Sequence, residues 1–178
     1  SHNRLIMKSA RGFAVTRSSL LLYPLSAIQI SKAAPVLSIG PRTEGEILNL
    51  MGMGFHNIHA LDIMSYSPWI TLGDMHAMPY KDDAFAVVIM GWCLTYSNNR
   101  RKAALEAVRV VRSGGIIAVG AAPTTTEGRA QWTELLGYFE PHVGRLFFAH
   151  EVPPFPAERW NRIAIFSVRK SPHSILTS

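Results

Sequence analysis

The sequence predicts an α/β domain in which a mostly parallel, seven-stranded sheet is covered by helices on both faces, as a three-layer sandwich. From residue 35 onward, short runs that are apolar throughout alternate with amphipathic helical patterns. This alternation is typical of parallel strands buried on both faces. The 178 residues suffice for one domain with a substantial core, and 48% hydrophobic with 17% charged residues is a globular composition.

The elements follow one another without internal repeats or low-complexity tracts. Strands are predicted over residues 36–40, 57–63, 69–74, 85–92, 116–120, 145–151 and 162–169. Helices are predicted over residues 43–53, 100–112 and 127–139. Thr43 and Glu46 form a capping-box pattern that should begin the first helix, and Gly114 with Gly115 should end the second. Because no helix separates the last two strands, they should pair antiparallel.

A basic leader precedes the first strand. The chain carries 18 Lys and Arg against 12 Asp and Glu, and its first acid is Glu44. We expect a helical leader over residues 1–34 packed on the domain, the domain itself over residues 35–170, and a tail over residues 171–178. A transit peptide or an anionic-surface contact is the alternative for the leader. The apolar run of residues 20–30 contains Pro24 and is too short to span a bilayer.

Cysteine and metal-ligand patterns exclude several classes. The single Cys93 excludes an internal disulfide framework and a cysteine-built zinc site. No His-x-x-x-His or carboxylate–histidine cluster predicts a metal. One cysteine and no membrane span are compatible with a cytoplasmic protein, and a homodimer is an open alternative to a monomer.

The turn after the first strand is the first candidate binding position, since open α/β sheets bind ligands beyond the carboxyl ends of their strands. Gly40 ends this strand, and Glu44 and Glu46 occupy the start of the next helix. Two carboxylates there would repel a pyrophosphate, and the G-x-G-x-x-G fingerprint is absent, which disfavours NAD and ATP. A ligand with ammonium and sulfonium groups would tolerate them. The alternative is that both acids only complement the helix dipole.

Acids also end the next two strands. Asp62 closes the second strand, where a carboxylate suits a ribose diol. Asp74 and Met75 follow the third strand. The Asp74 carboxylate suits an adenine amino group, and the Met75 amide suits the adenine ring. For each acid alone, capping a loop is the alternative, whereas acids on successive strand ends favour a nucleoside ligand.

Four segments together resemble a known family. They read "VLSIG", "HALDI", "GDMHAMPYKDDAFAVVIMGWCL" and "ALEAVRVVRSGGIIAVG", and they lie between residues 36 and 120. They resemble class I S-adenosylmethionine-dependent methyltransferases, and within that class the small enzymes that modify sugars and natural products. The resemblance implies strand order 3-2-1-4-5-7-6, with the seventh strand antiparallel, and S-adenosylmethionine as cofactor.

By position, the resemblance places Gly40 under the amino-acid part of the cofactor, Asp62 at the ribose, and Asp74 with Met75 at the adenine. Gly91 and Trp92 would lie near the methyl donor. The other predicted cofactor contacts are Pro41, Arg42, Glu44 and Ile63. The common family turn has an acid before its first glycine and two further glycines, where this sequence has Ser38, Arg42 and Glu44.

The predicted function is therefore methyl transfer to a small-molecule or carrier-bound acceptor of the sugar or natural-product type. Tyr96 and His150 are the candidates for an acid–base group. Trp92 and Tyr96 either wall an acceptor pocket or only pack, whereas Cys93 is better explained as a core residue and His76 by a structural role. Because of the altered turn, a cofactor-free interaction or scaffold module is an alternative. An RNA methyltransferase is a second alternative, suggested by the basic leader and residues 100–102, but no N-P-P-Y-like tetrapeptide occurs and nucleic acid is disfavoured.

Overall fold

The computed structural model describes residues 18–122, 128–152 and 161–170. Its seven strands form one sheet in the order β3-β2-β1-β4-β5-β7-β6, which confirms the predicted order. The strands are β1 (Val36–Ile39), β2 (Ile58–Asp62), β3 (Thr71–Leu72), β4 (Phe85–Gly91), β5 (Val111–Ala121), β6 (Val143–Val152) and β7 (Asn161–Val168). The first 17 residues of the predicted leader, the predicted tail, and the loop between β6 and β7 lie outside the described residues.

Strand directions agree with the prediction. β1 pairs in parallel with both β2 and β4, and β4 pairs in parallel with β5. β7 runs antiparallel to β5 and to β6. The carboxyl ends of β1, β2, β3 and β4 therefore meet at one edge of the sheet.

In the described part of the chain, four α-helices cover the two faces of the sheet. They are α1 (Ser19–Ser26), α2 (Gly45–Gly52), α3 (Arg100–Val110) and α4 (Gly128–Gly137). α1 and α2 bury leucines in the cluster that contains Val87 and Ile89 of β4. α3 and α4 pack on the cluster that contains Val88 and Met90 of the same strand. Successive strand residues point to opposite faces, so β4 is buried on both sides, as predicted.

α1 attaches the residues before β1 to the domain. Leu21, Leu22 and Leu25 are each only 1% exposed although Pro24 lies inside the helix. Burial of a leucine side chain contributes about 1.5 to 3 kcal/mol, so three of them hold α1 firmly against the sheet. None of the helices in the described part of the chain is long and apolar enough to cross a membrane.

The predicted start of α2 is wrong. The helix begins at Gly45, and Glu44, in the capping position, makes no side-chain capping hydrogen bond. Glu46 does not reach back to close a capping box with Thr43, because its carboxylate accepts hydrogen bonds from Ser38 and Ser18. The hydrogen bond between Glu46 and Ser38 of β1 therefore replaces the predicted capping box with Thr43.

The predicted role of Gly114 and Gly115 is also wrong. α3 ends at Val110, and both glycines lie within β5, which begins directly at Val111. The pairing of β4 with β5 shifts register in this part of the strand. A Cβ on Gly115 would lie 2.8 Å from the Arg112 carbonyl oxygen. The glycines therefore permit a strand irregularity and do not end the helix.

Candidate functional site

A cavity of about 1010 Å³ lies beyond the carboxyl ends of β1 to β4. Gly40, Asp62 and Asp74, from three successive parallel strands, all line it. Ligand cavities usually measure about 300 to 1,000 Å³, so this one has room for a nucleoside-sized ligand and a second small molecule. Gly40, Asp62 and Asp74 meet at this cavity because the strands that they follow or end, β1, β2 and β3, are neighbours in the sheet.

The structure brings nine of the ten predicted cofactor contacts to this cavity. They are Gly40, Pro41, Arg42, Asp62, Ile63, Asp74, Met75, Gly91 and Trp92. Glu44 does not line it. The Glu44 carboxylate instead accepts a hydrogen bond of 3.1 Å from the Tyr66 hydroxyl, and a hydrogen bond from Ser67 lowers its pKa.

Gly40 is required by a close approach between strands. Its φ is +74°, and a Cβ added to it would lie 2.6 Å from the Cys93 Cβ. The missing side chain therefore makes room for the chain after β4. Arg42 also adopts a left-handed conformation, with φ +63°, so the turn is sharply bent at two positions.

Asp62 is held rigidly by the backbone around it. Its Oδ2 accepts from the Arg42 amide at 2.9 Å, and its Oδ1 accepts from the Met64 amide at 3.1 Å. A carboxylate oxygen has two lone pairs, so each oxygen retains acceptor capacity toward the cavity. Two such oxygens match the two hydroxyl groups of a diol.

Asp74 is bound on one oxygen by His76. Its Oδ1 accepts from the His76 amide at 2.8 Å and lies 2.5 Å from His76 Nδ1. Both hydrogen bonds lower the pKa of Asp74, and the bond from the His76 backbone amide has the larger effect. Asp74 is therefore an ionised hydrogen-bond acceptor. His76 Nε2 lies 2.6 Å from the Ser97 hydroxyl. The His76 imidazole therefore links the turn after β3 to the segment after β4 through hydrogen bonds to Asp74 and Ser97.

Glu46, which the sequence places at the candidate binding turn, is not among the predicted cofactor contacts. It lines the cavity although it is only 6% exposed. Its Oε1 accepts from the Ser38 hydroxyl at 2.6 Å, and its Oε2 accepts from the Ser18 hydroxyl at 2.9 Å. Burial raises its pKa. Its spacing from the buried Leu50 was the available signal, since residues four apart share a helix face.

The residues after β4 have unequal access to the cavity. Tyr96 lines it and is 73% exposed, which suits contact with an acceptor. The Trp92 indole is buried, donates from Nε1 to Asn161 Oδ1 at 3.0 Å, and fills the core beside Gly120. Burial raises the pKa of Cys93 to about 12, so its thiol is a neutral packing group.

His150 lies away from the cavity. It is an exposed residue of β6, paired with Ile163 of β7. Both β7 and β5 lie between β6 and β4 in the sheet. His150 is not among the described residues that line the cavity, so its suggested role as an acid–base group stays a prediction. Within the described ranges, no three His, Cys, Asp or Glu side chains are grouped closely enough to bind a metal ion.

The strand order and the cavity define the class I, Rossmann-like methyltransferase fold. Residues 37–119 match the family model described as "Methyltransferase domain". The match covers just under half of the chain, and together with the fold it makes these residues similar to S-adenosylmethionine-dependent methyltransferases.

Solved structures share the fold at low sequence identity. The N-methyltransferase NodS from Bradyrhizobium japonicum WM9, in complex with S-adenosyl-L-homocysteine, has a TM-score of 0.70 at 14% identity, over 95% of this chain and 97% of that one. The 1,6-didemethyltoxoflavin-N1-methyltransferase of Burkholderia thailandensis, with its substrate and S-adenosylhomocysteine bound, has a TM-score of 0.67 at 13% identity, over 95% and 83%. The [4+2]-cyclase SpnF has a TM-score of 0.69 at 14% identity, over 85% and 80%. No curated protein matches the sequence significantly.

Proposed function

We propose that the cavity binds S-adenosylmethionine and that the chain transfers its methyl group to a small-molecule or carrier-bound acceptor of the sugar or natural-product type. The observation that carries this proposal is the meeting of Gly40, Asp62 and Asp74 at one cavity. When bound, the cofactor supplies a methyl group already activated by a sulfonium.

The acids of the site fit a nucleoside in a fixed orientation. Asp62 presents two oxygens held by backbone amides, and these would accept from the two ribose hydroxyls. Asp74 has its Oδ1 committed to His76, which leaves Oδ2 for the adenine amino group. The Met75 amide is proposed to donate to the adenine ring. Because β2 and β3 are adjacent parallel strands, these groups reach the same cavity.

For the transfer itself, the chain needs mainly to align the two reactants and exclude water. Gly91 carries no side chain at the end of β4, so a ligand can approach the backbone there. Tyr96 lies on the acceptor side and is a candidate for hydrogen bonding to an acceptor hydroxyl. An acceptor that is already ionised would not require a base from the chain.

The acceptor class is supported by the cavity and by two neighbours. The cavity extends from the acids Glu46, Asp62 and Asp74 to the segment after β4 that contains Tyr96 and Asn98. It is open on the side where Tyr96 is exposed. An open site accommodates a small molecule either free or attached to a carrier. One structural neighbour methylates didemethyltoxoflavin, a small molecule, and another is an N-methyltransferase.

Calorimetric titration of the full chain with S-adenosylhomocysteine tests the proposal. We expect micromolar binding, weakened about tenfold or more by Asp62→Asn, since the amide cannot accept from both ribose hydroxyls and both backbone amides. Asp83→Asn is the matched control, because Asp83 lies outside the cavity and pairs with Lys170. Absence of binding by folded wild-type protein would favour the scaffold module. A salt-sensitive gel shift with RNA would favour the RNA methyltransferase.

A further inference from the structure

The Glu46 carboxylate has hydroxyl partners but no described cationic partner. Ser38 and Ser18 donate to its two oxygens. None of the basic side chains in residues 18–122, 128–152 and 161–170 forms an ion pair with it. Hydroxyl groups are neutral donors, so they satisfy its lone pairs without offsetting its charge.

A buried carboxylate without a cation is costly when ionised. Asp62, a second acid, lines the same cavity. Arg42 and Lys102 also line the cavity, but neither forms an ion pair with Glu46 in the described structure. A positively charged group of a ligand would supply the missing ionic partner.

The position of Glu46 specifies which part of a ligand this is. A Cβ added to Gly91 would lie 3.4 Å from Glu46 Oε2, so the carboxylate lies beside the end of β4. Ser38, one residue before the end of β1, bonds to its other oxygen. The carboxylate is thus placed between the ends of β1 and β4, while Asp62 and Asp74 lie toward β2 and β3. A nucleoside held by those two acids would direct its 5′ substituent toward Glu46.

We propose that Glu46 binds the ammonium group of the amino-acid part of the cofactor and so distinguishes S-adenosyl amino acids from other adenosine thioethers. This assignment rests on the proposed function. Ser18, immediately before α1, donates a hydrogen bond to Glu46 Oε2. The packing of α1 on the domain therefore helps to position the Glu46 carboxylate.

Calorimetric titration with two ligands tests the assignment. S-Adenosylhomocysteine carries the ammonium, and 5′-deoxy-5′-methylthioadenosine lacks the whole amino-acid part. We expect Glu46→Gln to weaken S-adenosylhomocysteine about tenfold or more and to change methylthioadenosine affinity less than about twofold. Glu44→Gln is the matched control, two residues away and outside the cavity, and should alter neither. Unchanged binding of S-adenosylhomocysteine by Glu46→Gln, or equal loss of both ligands, would overturn the assignment.

A second ligand pair keeps the test independent of the variant's folding. Decarboxylated S-adenosylhomocysteine retains the ammonium and lacks the carboxylate. Wild-type protein should bind it about tenfold or more tightly than methylthioadenosine, and equal affinities would overturn the role of Glu46. Failure of wild type to bind any of the three ligands would instead refute the proposed cofactor site, so the two failures are distinguishable.

Discussion

Two turns contribute residues to the cavity, and each places a carboxylate there, but from different positions in the sequence. The turn at residues 73–78 keeps the pattern that the resemblance predicts, and Asp74 supplies its carboxylate where expected. The turn at residues 40–46 lacks the usual acid and two of the usual glycines. There the buried carboxylate comes from Glu46 in the following helix and bonds to Ser38, the position of the missing acid. A site can therefore retain a charge while changing the residue that carries it.

The glycines of the two turns differ in what surrounds them, and this gives the largest expected effect. Gly40→Ala would place a Cβ 2.6 Å from the Cys93 Cβ, in a backbone conformation with φ +74°. Neither group can move without shifting backbone. We expect the free energy of unfolding, measured by urea denaturation, to fall by about 2 to 4 kcal/mol.

Gly73→Ala is the matched control for this change. Its Cβ would lie 2.8 Å from Leu61 Cδ1, the end of a side chain that can rotate, so we expect a loss of about 1 kcal/mol. Cys93→Gly should recover part of the loss in the Gly40→Ala background. A larger loss for Gly73→Ala than for Gly40→Ala would contradict the difference between the turns.

The buried acid of the first turn should make stability depend on pH. Burial raises the pKa of Glu46 above its ordinary value of 4.5, so the folded state holds this proton more tightly than the unfolded state. The stabilisation is complete below that value and is lost as pH rises through the folded pKa. The loss is about 1.4 kcal/mol for each pH unit between the two pKa values.

Urea denaturation of wild type and Glu46→Gln, from about pH 4 to about pH 8, measures the pH-dependent contribution of Glu46 to the free energy of unfolding. The advantage of the Gln variant should grow across the window. The neighbouring Cys93, with a pKa of about 12, stays neutral and does not contribute. Stability profiles that run parallel would show that Glu46 is not perturbed by its burial.

The smallest effect should come from the other acid of the first turn. Tyr66→Phe removes the hydrogen bond from the Tyr66 hydroxyl to Glu44, between partly exposed groups. We expect the free energy of unfolding to change by less than about 0.5 kcal/mol, and S-adenosylhomocysteine affinity to stay the same. A marked loss of affinity would mean that Glu44 contributes to the site from outside the cavity lining.

The parts of this molecule that were predictable follow from general rules of chain geometry. Asp62 and Asp74 converge because the carboxyl ends of parallel strands meet at one edge of the sheet. The antiparallel pairing of the last two strands was predictable because the sequence predicts no helix between them. The strand order followed from the family resemblance. Glu46 could not be assigned because its partner Ser38 belongs to a different element, which local patterns do not reveal. The place of His150 relative to the cavity could not be predicted from local patterns, because it depends on the order of the strands in the sheet.

A crystal structure of the full chain grown with saturating S-adenosylhomocysteine tests the central claim most directly. The account predicts ribose hydroxyls bonded to Asp62, the adenine amino group bonded to Asp74, and the ammonium within hydrogen-bond distance of Glu46. A ligand bound elsewhere on the protein, or a cavity left without ligand in crystals of folded protein, would contradict it.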